Sequence, residues 1–395
     1  MNHFKLFATL GTTMIVAAIA QGQSLYWDIN GATAGGGTAG NADGIWDAAT
    51  TTNWTTDSAG TSATSAYTAG SDVVFSAGSD VTTANITVSG TQTVSSVTVE
   101  EGSIAISGSA IDDIGSNILI SVASGASLSL NNDGPYNADF NIEGTFYANT
   151  IRGGSTMAKS GAGTATFDRM DAYLTINDGK VIYTGLNGAK IKSATINSGA
   201  TFEITGNTFD GTGRSVAVNT GGTFEMGAGV SQTIGSLSGA GSIIGNTGSA
   251  LTVGGTRTFN GDISGELNLN TTGTLTLSDT SSMEFTIDGD GINNSLSGTG
   301  AMNLNGDFNF NLTSADLTAG NSWQIVDIGS ISSIYGATFS VVDFTNDSGV
   351  WTNNSNSDLI FSQTSGALTV IPEPSTLSLI LGFAGLAFLT LRKRS

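Results

Sequence analysis

The chain has 395 residues, with 12 Lys and Arg against 32 Asp and Glu, a formal net charge of −20. It has no cysteine and a single histidine, His3, so beyond that residue disulfide scaffolding, thiol redox chemistry, His-ligated zinc and Ser-His-Asp or Cys-His catalysis are excluded. Charged residues are only 11% of the chain, against roughly 25% in ordinary globular domains, and the acidic balance argues against nucleic acid as a partner because a phosphate backbone needs clustered cations.

Residues 1–20 read as a secretory signal peptide. Lys5 precedes an uncharged apolar stretch over 6–20, and Ala18-Ile19-Ala20 has the A-x-A form of a cleavage site, with Ala18 and Ala20 as its small residues. The mature start falls at Gln21. The exported body, 21–371, carries 8 Lys and Arg against 31 Asp and Glu, a net charge of −23. Polycations and divalent cations suit such a balance, as does plain solubility.

Residues 21–84 hold Trp27-Asp28, Gly44-Ile45-Trp46-Asp47 and Asn53-Trp54-Thr55, and read as an N-terminal cap with the first coils. Trp46 and Trp54 have rings that can stack on sugars; packing inside the cap is the preferred reading.

Residues 85–282 alternate apolar residues with Ser, Thr and Asn, as in Ile118/Ile120/Val122, Phe202/Ile204, Val216/Val218 and Leu275/Leu277. Period two with β-branched and aromatic residues predicts half-buried strands. The strands repeat. Ile196-Asn-Ser-Gly-Ala-Thr-Phe-Glu-Ile204 matches Val218-Asn-Thr-Gly-Gly-Thr-Phe-Glu-Met226. Turn glycines recur at 102, 125, 144, 163, 179, 199, 221, 241 and 265, about 20 residues apart, the signature of a solenoid. The expected fold is all-β: a parallel β-solenoid of about ten coils over this span, with Ile196, Phe202, Ile204, Val218, Phe224 and Met226 pointing inward. A series of β-sandwich domains is the competing architecture.

Within the coils, Glu203 and Glu225 fall at equivalent positions one coil apart. They read as a charged ladder facing solvent, with a glycosidase-like carboxylate pair as the sharper alternative. Arg152, Arg169, Arg214 and Arg257 read as isolated surface or ion-pair residues. Lys180, Lys190 and Lys192 are the nearest approach to a cationic cluster, and the glycines around them place them in turns.

Residues 283–370 have denser aromatics, among them Phe308, Phe310, Trp323, Trp351 and Phe361, and read as a C-terminal β cap shielding the open end of the coils. Asp288-Gly289-Asp290-Gly291-Ile292-Asn293-Asn294 opens like a calcium loop, which makes Asp288 and Asp290 the candidate Ca²⁺ ligands. The positions that should supply an oxygen ligand and a bidentate carboxylate are Ile292 and Thr299, so a Gly-Asp turn is the preferred reading and no cofactor is expected.

Residues 371–395 carry Pro372-Glu373-Pro374, an uncharged apolar run over 377–391, and Arg392-Lys393-Arg394 before the terminal Ser395. The prolines keep the tripeptide extended. The run is a short transmembrane helix near the lower length limit for a bilayer, with the basic residues as cytoplasmic stop charges. This order of elements resembles the PEP-CTERM sorting signal of Gram-negative bacteria. The resemblance implies recognition at Pro372, Glu373 and Pro374 and processing by a membrane-embedded exosortase. It also implies a setting of exopolysaccharide production.

A second resemblance is carried by Gln232-Thr-Ile-Gly-Ser-Leu-Ser-Gly-Ala-Gly-Ser-Ile243, Lys159-Ser-Gly-Ala-Gly-Thr-Ala-Thr-Phe167 and the N-terminal Trp-Asp segments. These are similar to the repeats of autotransporter-type passenger proteins, which implies a right-handed parallel β-helix. The outer-membrane barrel of that family is replaced here by the sorting tail. The expected protein is an exported, non-catalytic structural or adhesive component of the cell surface or extracellular matrix. It is transiently anchored in the inner membrane, with exosortase and exopolysaccharide as partners. The alternative is a polysaccharide-active β-helix lyase or hydrolase using carboxylates and Ca²⁺.

Overall fold

The computed structural model describes residues 22–372, apart from 49, 116, 155, 187–190 and 207–210. Ala18, Ala20, Lys190, Glu373, Pro374, the apolar run 377–391 and Arg392, Lys393 and Arg394 lie outside the described residues. Among those described, no helix is long and apolar enough to cross a membrane.

The alternating pattern folds as strands, because each short Thr/Ser-apolar run buries one face and hydrates the other. In Ala200–Ile204, Phe202 and Ile204 are fully buried while Thr201 and Glu203 are half-exposed. The next coil repeats this in Thr223–Met226. The two strands pair in parallel, Phe202 on Phe224 and Glu203 on Glu225. The same ladder links Thr83, Ser103, Ser127, Thr145, Thr164, Lys180, Thr201, Thr223, Ser242, Asp262 and Ser282 as successive neighbours. Thr83 to Ser282 takes ten steps, about 20 residues per coil. The architecture is thus all-β, a parallel β-solenoid of about ten turns over this span. At roughly 4.8 Å per coil these turns extend about 50 Å.

Two long sheets, of 15 and 14 strands, form its main sides. The inner rows fit coil by coil. Phe146 and Ala148 of Thr145–Thr150 stack on Ala165 and Phe167 of Thr164–Phe167, so large meets small in both rows. Phe140 completes this cluster, 5.4 Å from Phe146 and 5.2 Å from Phe167. From Ser231–Gly239 onward the coils acquire a third strand. The first half of that segment pairs with Ala250–Val253 and the second half with Gly211–Val218. Thr256–Phe259, Thr274–Leu277, Ala301–Leu304 and Ser332–Tyr335 then form a third side.

The turn glycines serve two purposes. Gly179 sits at φ 63°, where a side chain is strained. Gly163 does not, but a Cβ there would strike the carbonyl of Gly144 in the preceding coil. Close stacking alone therefore demands glycine at that position.

The parallel ladders extend beyond residues 85–282. Ser24–Trp27 already pairs in parallel with Ser71–Phe75, and Gly44–Trp46 with Thr83–Val88. At the far end Ser282–Thr286 pairs with Asp307–Asn311, which pairs with Ser340–Val341. The 20-residue phase is lost there because long insertions separate the strands. The steps are 42 residues from Gly44 to Ile86, 25 from Ser282 to Asp307 and 33 from Asp307 to Ser340.

The aromatic segments close the ends. Trp27, Trp46, Trp54, Tyr67 and Phe75 are buried together, with ring centroids 5.1 Å apart for Trp27–Trp54, Trp46–Trp54 and Trp46–Tyr67. At the other end an antiparallel sheet joins Ser322–Gln324, Ala367–Val370, Leu359–Ser362, Val350–Asn353 and Phe344–Asp347 in that order.

Candidate functional site

The stacking register brings Glu203 and Glu225 side by side, and Lys180 completes the row. Its Nζ lies 2.7 Å from Glu203 and 3.3 Å from Glu225. Lys180 belongs to the strand Gly179–Tyr183 rather than to a turn, because the glycine before it opens the strand. Hydrogen bonding to Glu203 raises the ammonium above its ordinary value. A glycosidase pair needs one carboxyl kept protonated as the acid. Lys180 bridges both carboxylates, an arrangement that suits an ion-pair ladder.

A second carboxylate, Asp168, is buried and doubly used. Its Oδ2 accepts from Tyr147 Oη at 2.6 Å and its Oδ1 from Thr184 Oγ1 at 2.6 Å. The bond to Asp168 pushes the Tyr147 hydroxyl up to about 12, the wrong direction for a tyrosine acting as base near neutral pH.

Asp288 and Asp290 lie on a short reversal closed by an Ile287–Asn293 bridge. Asp290 Oδ1 accepts from the Ser322 backbone N–H at 2.9 Å and so ties the reversal to the C-terminal sheet. Asp288 lines a shallow groove of about 250 Å³ with Glu266, Asn268, Asn293 and Asn294. Among the described residues no group of three or more acidic, His or Cys side chains converges to hold a metal ion. Trp46 and Trp54 are buried in the N-terminal box, at 0% and 1% exposure, and offer no face to a sugar.

Lys159 occupies an inward position, paired with Phe140 on one side and Ile176 on the other. It is fully buried. Its Nζ donates to the carbonyls of Gly161, Gly163 and Asp178 at 2.5, 2.6 and 2.8 Å. The corner glycines make this cage, since a Cβ on Gly179 would collide with Nζ. Burial lowers the ammonium to about 8, against the opposing charges of Asp178 and Glu143. The role is structural: it crosslinks the corners of two coils from within.

Arg257 is a surface residue whose Nε donates to Ser236 Oγ at 2.7 Å, but the other three arginines are not isolated from one another. Ile151 bridges Met170 in parallel, and Lys192 N–H donates to Ala172 O at 2.8 Å. Arg214 Nη1 donates to Ile191 O at 2.8 Å. Arg152, Arg169, Lys192 and Arg214 therefore follow one side of consecutive coils. Arg152 and Arg169 line a groove of about 370 Å³ with Tyr136, Asn137, Gly153, Gly154 and Asp171. The guanidinium of Arg152 lies over the Tyr136 ring at 4.6 Å, and Lys192 lies 5.5 Å from the Tyr173 ring. The sequence signal for this row is the spacing of Arg152, Arg169, Lys192 and Arg214, which stand 17, 23 and 22 residues apart, about one coil each.

No protein-family model, no curated protein and no solved structure matches this chain.

Proposed function

We propose that the chain is an exported, non-catalytic structural or adhesive protein of the cell surface or extracellular matrix, sorted through its C-terminal tail. The observation that carries this reading is the unbroken parallel stacking between two aromatic ends, a stiff rod that displays repeated Ser, Thr and Asn rows. Parallel crossovers are right-handed in about 98% of cases, and we assign that hand to the coils. The A-x-A segment and the Pro-Glu-Pro, apolar and basic elements supply the route: export, transient inner-membrane anchoring, and exosortase processing. The net charge of −23 over residues 21–371 disfavours nucleic acid and suits solubility outside the cell.

Replacing Pro372, Glu373 and Pro374 together with alanine tests the route. The full-length chain should then stay in the membrane fraction instead of being released. Wild-type release of the triple variant would reduce the tail to a plain anchor.

Catalysis is tested separately. The purified chain should release no product from uronic-acid or neutral polysaccharides, with or without millimolar Ca²⁺. Reproducible turnover abolished by one carboxylate-to-amide change would make it an enzyme.

A further inference from the structure

We propose that the groove framed by Tyr136, Asn137, Arg152, Arg169 and Asp171, with Lys192 at its margin, binds an acidic glycan through a sugar carboxylate. The proposal rests on the adhesive reading and gives it a ligand class. Its first ground is charge. The exported body has eight Lys and Arg in all, and four of them follow this one side of the coils. On a body of net charge −23 such a concentration is local and directional.

The second ground is unused donor capacity. Arg152 Nε is buried with no hydrogen-bond partner, and among the described residues its Nη1 makes a 3.8 Å ion pair with Asp133 and a long 3.5 Å hydrogen bond to Tyr136 Oη. Arg169 is exposed and pairs with no carboxylate among the described residues. Two guanidinium groups facing one concavity suit a planar carboxylate, which accepts a bidentate pair of N–H donors.

The remaining lining decides what carries that carboxylate. Tyr136 is 48% exposed, and the outlying Tyr173 also 48%, each with a cation against one side of its ring. Aromatic faces stack on the C–H side of a pyranose. Asp171, held 3.4 Å from Lys192, adds an acceptor suited to hydroxyl groups. A bare polyanion gains nothing from Asp171 and Asp133, which repel it. A ligand with one acid group and several hydroxyls per unit uses donors, acceptors and rings together. Gly153 lets its segment pack directly on the neighbouring coil, since a Cβ there would collide with the Tyr136 carbonyl.

The test is calorimetric titration of the full chain with tetragalacturonate, its fully methyl-esterified form, and a sulfated oligosaccharide of equal length. Tetragalacturonate should bind, and more weakly as salt rises. The methyl ester should bind at least about tenfold more weakly, as should tetragalacturonate to Arg169→Gln, since a charge-assisted bond is lost in each case. Arg169 is exposed, so its variant should keep the wild-type unfolding midpoint, and Tyr136→Ala should weaken binding of the acid as well. No binding of tetragalacturonate would overturn the proposal. So would equal affinity for the methyl ester or the sulfated chain, or an unchanged affinity in Arg169→Gln. These outcomes are read on purified protein and do not depend on whether the tail is sorted.

Discussion

Replacing Phe202 with alanine should lower the unfolding free energy by about 3–5 kcal/mol, the range for deleting a buried aromatic from a core that cannot collapse around the gap. Phe202 is fully buried and its ring stacks on Phe224 at 5.8 Å. Val181 is its register neighbour on the other side. The coils above and below are held by backbone ladders spaced at about 4.8 Å, so neither can move in to fill the void. The loss should also be local, because each coil touches mainly its neighbours. Amide exchange should accelerate most in Gly179–Tyr183, Ala200–Ile204 and Thr223–Met226, and least in the Trp27/Trp46/Trp54 end. Urea denaturation and hydrogen exchange read both parts. A loss below about 1 kcal/mol, or acceleration spread evenly over the chain, would sink the idea that the rod is a sum of coils.

The coils were legible because their physics is periodic. Ile196, Phe202, Ile204, Val218, Phe224 and Met226 stand two apart within strands and recur one coil on, and all six are fully buried. The limits of the stack were less legible. Beyond Ser282 two coils are lengthened by insertions, and the aromatic segment read as a separate cap divides its strands. Ser332–Tyr335 and Ser340–Val341 continue the solenoid, while Ser322–Gln324 joins the antiparallel sheet. Sequence periodicity reports equal coil lengths, and a ladder needs only matched strands.

The candidate groove was hidden for a related reason. Arg152, Arg169, Lys192 and Arg214 look scattered along the chain, and the coil period is what aligns them. The tail proposed to direct sorting is the opposite case. Its elements are contiguous, so Pro372, Glu373 and Pro374 are conspicuous without any fold. Lys159 was legible to neither argument. Alternation puts it on the inner face, where a charged residue is not expected. Only the cage of corner carbonyls explains its burial.

That cage makes Lys159→Met the sharpest probe of the corners. Methionine keeps the aliphatic stem and removes the ammonium, leaving the carbonyls of Gly161, Gly163 and Asp178 without its three donors. Each stranded buried acceptor costs about 1–3 kcal/mol. Relief of a buried charge offsets part of this. The expected net loss at pH 7 is about 2–4 kcal/mol.

The pH dependence separates the two contributions. Burial holds the folded ammonium near 8, whereas an unfolded lysine titrates near 10.4. Below pH 8 both states are protonated and Lys159 contributes no slope. Between about pH 8 and 10.4 the unfolded chain holds more protons, so this group makes wild-type stability rise with pH. The Met variant lacks that rise. The buried tyrosines titrate identically in both proteins and cancel in the comparison. The gap between wild type and Lys159→Met should therefore widen from pH 7 to pH 10 in urea midpoints. A gap that stays constant, or a variant as stable as wild type at pH 7, would mean that the corners hold without their internal cation.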